Sequence, residues 1–336
     1  MSTNPETRRA PGEHRDPLAP VVLEGERPAA GPIAMLPFAH PAFEAAVIAG
    51  GGTLAPLSDE TRGIVWLNLD GAALSAVLAE RPAIEWVQLP MAGVEAFASL
   101  FAAQGNAELP LWTSAKGSFS EPVAEHAVAL ALAVLRGIPE KSRGTSWSDP
   151  KIGVTLYGRR IVIVGAGGIA VEIMRLLAPW EVDVTIVRRG DDPLPGANRT
   201  VPVSRLAEVL PDADVLILAA AATAETAHLI GADELALLKP SAALVNIARG
   251  ALVDQEALIA ALERGHLAGA GLDVTTPEPL PEGHPLWGAP RVVVTSHSAD
   301  TPEMTEPLLA ERIRANVAAL LGDGAFVGRV DPRAGY

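Results

Sequence analysis

The stretch "RIVIVGAGGIAVEIMRLLAPW", Arg160 to Trp180, decides the fold. Its first half, "RIVIVG", is a short run of β-branched residues that stops at a glycine, as a buried strand does. Its second half, "GIAVEIMRLLAPW", repeats its apolar residues with a helical period. Between them Gly165, Ala166, Gly167, Gly168, Ile169 and Ala170 fit the pattern G-x-G-x-x-G/A. Gly165 permits the tight turn out of the strand, Gly167 lets the backbone approach a pyrophosphate, and Ala170 lets the helix lie close on the sheet. The phosphates then sit at the helix N-terminus, at Gly168 and Ile169. Glycines also make ordinary turns, but strand, glycine loop and helix in this order point to a dinucleotide site.

Working outward, "VDVTIV", "DVLILAA" (214–220), "AALVNIA" (242–248), "GAGLDV" (269–274) and "RVVVTS" (291–296) read as further buried strands. Helices such as "DELALLK" and "DQEALIAALERG" separate most of them, while "RRGDDPLPGANR" reads as a loop. Apolar strands alternating with helices imply a doubly wound parallel sheet covered on both faces. A second, N-terminal series ("IAML", "PAFEAAVIAG", "GIVWLNL", "GAALSAVLAE", "IEWVQLP") predicts another α/β layer. "EPVAEHAVALALAVLRGI", Glu121 to Ile138, reads as one long buried helix, followed by a polar loop or arm. "PEMTEPLLAERIRANVAALL" reads as the last helix.

An apolar content of 49% with 20% charged residues fits a folded chain with a large core. "AVALALAVL" is the longest apolar run in a helical context, far short of the roughly 20 residues a bilayer requires. No membrane association is expected. The formal charge of −14 argues against nucleic acid, because a phosphate polymer is repelled overall. Cysteine is absent, which excludes disulfides and thiol catalysis. The first thirty residues, rich in Pro, Glu and Arg without an apolar core segment, read as a solvated tail rather than a signal peptide. A cytoplasmic location is the default expectation.

The fingerprint expects an acid roughly 20 residues after the glycine loop, at the end of the second strand, to hold a ribose hydroxyl. Here that strand ends in Arg188 and Arg189. A guanidinium offers paired hydrogen bonds to a 2′-phosphate instead, so NADP (NADPH) is the preferred cofactor expected. Asp191 and Asp192 follow closely and keep NAD possible.

Ligands of open parallel sheets bind beyond the carboxyl ends of the strands. Three successive strands end near a cation, a carboxylate and an imidazole: Arg249, Glu278 and His297. Reducing a 2-oxo acid requires a proton donor at the carbonyl oxygen and a cation for the substrate's negative oxygens. His297 suits the first task, because histidine titrates near neutrality. Glu278, hydrogen-bonded to it, would keep the acid form available, and Arg249 would grip the carboxylate and polarise the carbonyl. Each residue alone has a structural reading; only the combination points to chemistry. Ala248 and Asp273, at two of the same strand ends, are expected beside the cofactor. His126 and His284 read as packing residues. No histidine or cysteine cluster has metal-ligand spacing, so no metal is expected.

"NIARGALVDQEAL", "GLDVTTPEPLPEGHPLW" and "TSHSAD" resemble the signatures of the D-isomer-specific 2-hydroxyacid dehydrogenase family, and the basic residue at Arg188 resembles its NADPH-using glyoxylate/hydroxypyruvate reductases. The resemblance spans roughly residues 60 to 321 and includes "IEWVQLPMAGVEAF" and the "VAEHAVALALAVLRGIP" helix. It implies an α/β fold of two Rossmann-like domains with parallel sheets. The cofactor domain (116–298) is inserted into a discontinuous, flavodoxin-like substrate domain (31–115 plus 299–336). It implies Arg249, Glu278 and His297 as the catalytic trio. It also implies that backbone amides around Ala92 and Gly93 hold the substrate carboxylate, and that the protein is a homodimer. The expected reaction is NADPH-dependent reduction of a small 2-oxo acid to a D-2-hydroxy acid. Ser296 stands where the family commonly has Pro, and Ala221 replaces the proline of a "P-x-T-x-x-T" run. Glu278 argues against the formate dehydrogenase branch, and the short remainder after the last helix against a regulatory domain. Two alternatives stay open: an NAD-dependent dehydrogenase for a bulkier substrate, and a non-catalytic nucleotide sensor. Leu89, Pro90 and Met91 hint at a tolerant apolar pocket.

Overall fold

The structure, a computed structural model, describes residues 21–22, 27–105, 110–147, 151–322 and 324–333. Most of the expected N-terminal tail lies outside the described residues. The chain divides into two compact units, Met1–Phe119 with Asp300–Tyr336, and Ser120–Ala299.

In the first unit a two-residue strand β1 (Val21–Val22) pairs antiparallel with the strand Ala325–Phe326. Strands β2 (Ile33–Leu36), β3 (Gly63–Trp66), β4 (Trp86–Gln88) and β5 (Leu111–Thr113) form a parallel sheet in that order. A single bridge adds Leu54 on the outer side of β2. Taken in chain order, the five extended segments therefore stand 2-1-3-4-5 in space. Side chains alternate along β3: Ile64 and Trp66 enter one apolar cluster with Leu74 and Phe97, and Val65 enters the other with Phe43 and Ile313. Helix α1 (Pro41–Ala49) and the helix Pro302–Leu321 cover one face, and α2 (Gly71–Glu80) covers the other. Each fully buried Val, Leu or Ile contributes about 1.5–3 kcal/mol.

The second unit opens with α3 (Ser120–Leu135). Its seven strands are β6 (Arg160–Val164), β7 (Asp183–Arg188), β8 (Arg199–Pro202), β9 (Val215–Leu218), β10 (Ala243–Asn246), β11 (Gly269–Leu272) and β12 (Val292–Val294). All pair in parallel, in the order β12-β11-β10-β9-β6-β7-β8. The order reverses between β6 and β9, and this switch point is where such sheets open a crevice for ligands. Helices α4 (Gly168–Leu177) and α5 (Gln255–Glu263) lie among its crossovers. Small residues let α3 lie directly on β11: a Cβ on Gly271 would stand 2.7 Å from that of Leu130.

Two expectations are corrected. The long helix expected to reach Ile138 ends at Leu135, because Gly137 turns left-handed (φ 62°) and starts a second short helix, Ile138–Ser142. The stretch read as a loop through Arg199 gives way there to β8, an edge strand. Among the described residues no helix is long and apolar enough to cross a membrane.

Candidate active site

At the end of β6, Gly165 takes φ 120°, and its amide donates to Val187 O at 2.7 Å. An L side chain is strained at that angle, and a Cβ would collide with the carbonyl of Ala219 beyond β9. The glycine loop is therefore pressed into the switch point. Gly167 opens the other way: it is exposed, and a Cβ there would meet nothing within 4 Å. It stands at the N-cap of α4 with no side chain capping the first turn, which begins with Gly168 and Ile169. Ala170 is fully buried against the sheet. Open glycine, uncapped amides and the positive end of the helix dipole fit a pyrophosphate.

Arg188, half-buried at the end of β7, donates through Nη1 to Asp192 O at 3.3 Å. Arg189 is exposed. Glu225, in the loop after β9, is held below the usual carboxylate range by the Thr223 hydroxyl, then by its own amide, and last by the charge of Arg189. Two arginines thus stand where the fingerprint expects the acid.

On the same edge of the sheet, Asn246 ends β10 and shapes the turn that presents Arg249. Its Nδ2 donates to Arg249 O at 2.9 Å, and its Oδ1 accepts from Ala248 N at 3.1 Å. Arg249 Nη1 donates to Ala248 O at 2.7 Å. Gly250 then packs so tightly on Thr275 that a Cβ would overlap its carbonyl, which ties this turn to the segment carrying Glu278. Gln255 clamps that segment from α5, bonding Thr276 O at 2.6 Å and Thr276 N at 3.0 Å. Glu278 Oε1 accepts from Thr275 N at 2.9 Å, and Oε2 lies 2.9 Å from His297 Nδ1. An ionised carboxylate only accepts, so His297 Nδ1 carries the proton of that bond and Nε2 is left for another partner.

His297 adopts φ 49°, a left-handed conformation that costs a non-glycine residue about 1–3 kcal/mol. Asp273 holds it there. The amides of His297, Ser298 and Ala299 donate to Asp273 O, Oδ1 and Oδ2 at 2.8, 2.9 and 3.2 Å. The Thr295 hydroxyl donates to Oδ1 at 2.5 Å. Asp273 is 2% exposed; burial works against its ionisation, and the His126, Thr295 and Ser298 contacts outweigh it, holding the pKa at about 2. The structure thus engages both carboxylate oxygens of Asp273 with protein groups, and Ala248, 7% exposed, lines the neighbouring turn.

His126 corrects a reading. Far from being a plain packing residue, it reaches from α3 to Thr295 Oγ1 at 2.9 Å, with Asp273 Oδ1 at 3.5 Å. Nothing in the helical pattern around it signals that partner, 169 residues away. His284 Nδ1 accepts from Leu286 N at 3.3 Å and caps a short helix, and its Nε2 lies 3.4 Å from Nε2 of Gln255. Ala92 and Gly93 lie in the first unit, half-buried in the loop after β4. Leu89, read as a pocket residue, is fully buried in the core of that unit, whereas Met91 is 39% exposed. No group of three potential metal ligands occurs among the described residues.

A doubly wound sheet with an open glycine loop at its switch point and an imidazole–carboxylate pair on the same edge defines a dinucleotide-dependent oxidoreductase of the Rossmann class. The profile of the D-isomer specific 2-hydroxyacid dehydrogenase NAD binding domain matches residues 128–299. The chain belongs to this family, as its signature motifs predicted. A glyoxylate reductase of Korarchaeum cryptofilum is 34% identical over 218 residues, which cover 62% of this chain and 65% of that protein. The chain therefore spans just under two thirds of that relative. A D-isomer specific 2-hydroxyacid dehydrogenase of Xanthobacter autotrophicus, solved in complex with NADPH and MES, is 27% identical with a TM-score of 0.76. The match covers 92% of this chain and 100% of that one. The NADPH-dependent glyoxylate/hydroxypyruvate reductase of Sinorhizobium meliloti, solved with NADP and malonate, gives a TM-score of 0.69 at 26% identity. It covers 90% and 98% of the two chains.

Proposed function

We propose that the protein is an NADPH-preferring reductase of small 2-oxo acids of the size of glyoxylate or hydroxypyruvate, yielding D-2-hydroxy acids. The observation that carries the proposal is the His297–Glu278 pair, 2.9 Å apart and half-exposed at the sheet edge that also carries Arg249 and the glycine loop. The nicotinamide, when bound, supplies the hydride for the carbonyl carbon. Gly167 and the first turn of α4 would hold its pyrophosphate, with Gly165 shaping the turn that brings them there, and Arg188 with Arg189 would hold a 2′-phosphate. Arg249 binds the substrate carboxylate and draws electron density toward the carbonyl oxygen. His297 gives its Nε2 proton to that oxygen, and Glu278 on Nδ1 fixes the ring's orientation and balances the imidazolium before transfer. In the reverse direction neutral Nε2 accepts the hydroxyl proton. The glyoxylate reductases among its relatives support the substrate class, and the NADPH complexes of similar proteins support the cofactor.

The cofactor half of the proposal is tested by Arg188→Asp. A charged hydrogen bond is replaced by a repulsion, so the ratio of kcat/KM for NADPH over NADH is expected to fall by about 10- to 100-fold or more. Steady-state kinetics with each cofactor reads this directly. An unchanged ratio would show that Arg188 does not meet the 2′-phosphate.

A further inference from the structure

We infer that His126 is a positioning residue for His297, acting through Thr295 and Asp273. The inference rests on the reading of His297 as the acid/base group. A histidine in an apolar helix is tolerated when its polar atoms are bonded. Here the bonds lead somewhere. Thr295 has one hydroxyl hydrogen, and it is directed to Asp273 Oδ1 at 2.5 Å. Its oxygen can therefore only accept from His126 Nε2 at 2.9 Å, so that nitrogen carries a proton. Asp273 passes the constraint on, because its backbone and side-chain oxygens take the amides of His297, Ser298 and Ala299 in succession.

The result is a directed chain of donors from His126 through Thr295 to the carboxylate that holds the left-handed turn at His297. Helix α3 packs on β11, whose carboxyl end carries Asp273, so His126 is anchored independently of the loop it steadies. A residue that merely fills space at this position contributes to stability alone. A residue that sets the carboxylate's position contributes to the rate, because a displacement of about 1 Å in a reacting group costs on the order of 100-fold. Arg249 and the glycine loop are outside the chain of bonds, and both carboxylate oxygens of Asp273 are taken by protein donors, so substrate and cofactor affinity are expected to be spared.

The test compares His126→Phe, which keeps a ring without a donor, with His126→Gln, which keeps an N–H near the place of Nε2. Full-length protein is assayed by NADPH oxidation with glyoxylate and hydroxypyruvate, and its NADPH affinity by fluorescence titration. His126→Phe is expected to lower kcat by about 10- to 100-fold while KM and NADPH affinity stay near those of the parent, and His126→Gln to recover most of the loss. Should His126→Phe fail to fold, Thr295→Val cuts the same chain at its middle and Thr295→Ser restores it, with the same expected split. An unchanged kcat in the cutting variant, or equal losses in the cutting and restoring variants, overturns the inference. His297→Ala is run beside them. Full turnover there overturns the acid/base reading and this inference with it, whereas full turnover in His126→Phe beside an inactive His297→Ala overturns this inference alone.

Discussion

Replacing His297 by Ala is expected to lower kcat by on the order of 10²- to 10⁴-fold, the usual contribution of a positioned general acid. The imidazole is the group whose Nδ1 is held by Glu278 at 2.9 Å, with Nε2 left for a substrate oxygen. The side chain is 48% exposed, so its removal opens no core cavity. The backbone that carries it stays pinned by the hydrogen bond its N–H donates to Asp273 O at 2.8 Å. Folding and cofactor affinity should therefore survive, which separates a chemical defect from a structural one. The comparison is kcat against the fluorescence-determined affinity for NADPH. A variant that binds the cofactor and turns over at the parent rate would take His297 out of the mechanism.

Replacing Arg249 by Gln is expected to cost on the order of 10²- to 10³-fold in kcat/KM, with a raised KM for the 2-oxo acid. Gln keeps length and polarity but loses the charge and the planar fork that matches a carboxylate. Arg249→Lys keeps the charge without the fork and should recover only part of the loss. The turn is held by Asn246 through the Arg249 carbonyl as well as by the guanidinium's bond to Ala248 O, so Asn246 remains to hold the backbone when the guanidinium is lost. Steady-state kinetics over a range of glyoxylate concentrations separates the two parameters. An unaltered KM in Arg249→Gln would show that another cation receives the substrate.

The Rossmann-like sheet was legible because its central strands, such as "VLIL" in β9, are buried on both faces and need no polar alternation. The β8 edge was not: this strand contains Arg199 and Pro202, and an edge strand tolerates both because one side of its ladder faces no neighbour. In the first unit, Leu54 contributes a single bridge beside β2, too short for any periodicity to register. At the candidate site, Arg249, Glu278 and His297 were legible because parallel strands deliver their carboxyl ends to one edge. The link from His126 to Asp273 was not, since it joins residues far apart in sequence and lies on an apolar helix whose pattern suggests packing. Leu89 misled for the opposite reason, since an apolar residue beside a binding motif can serve the core instead.

The most direct test of the account is NADPH and NADH oxidation measured side by side with glyoxylate and hydroxypyruvate. Turnover is expected with at least one of the two acids, with a higher kcat/KM for NADPH than for NADH and a D-2-hydroxy acid as product. Tight NADPH binding without turnover of either acid would contradict it and favour a nucleotide-sensing role for the same fold.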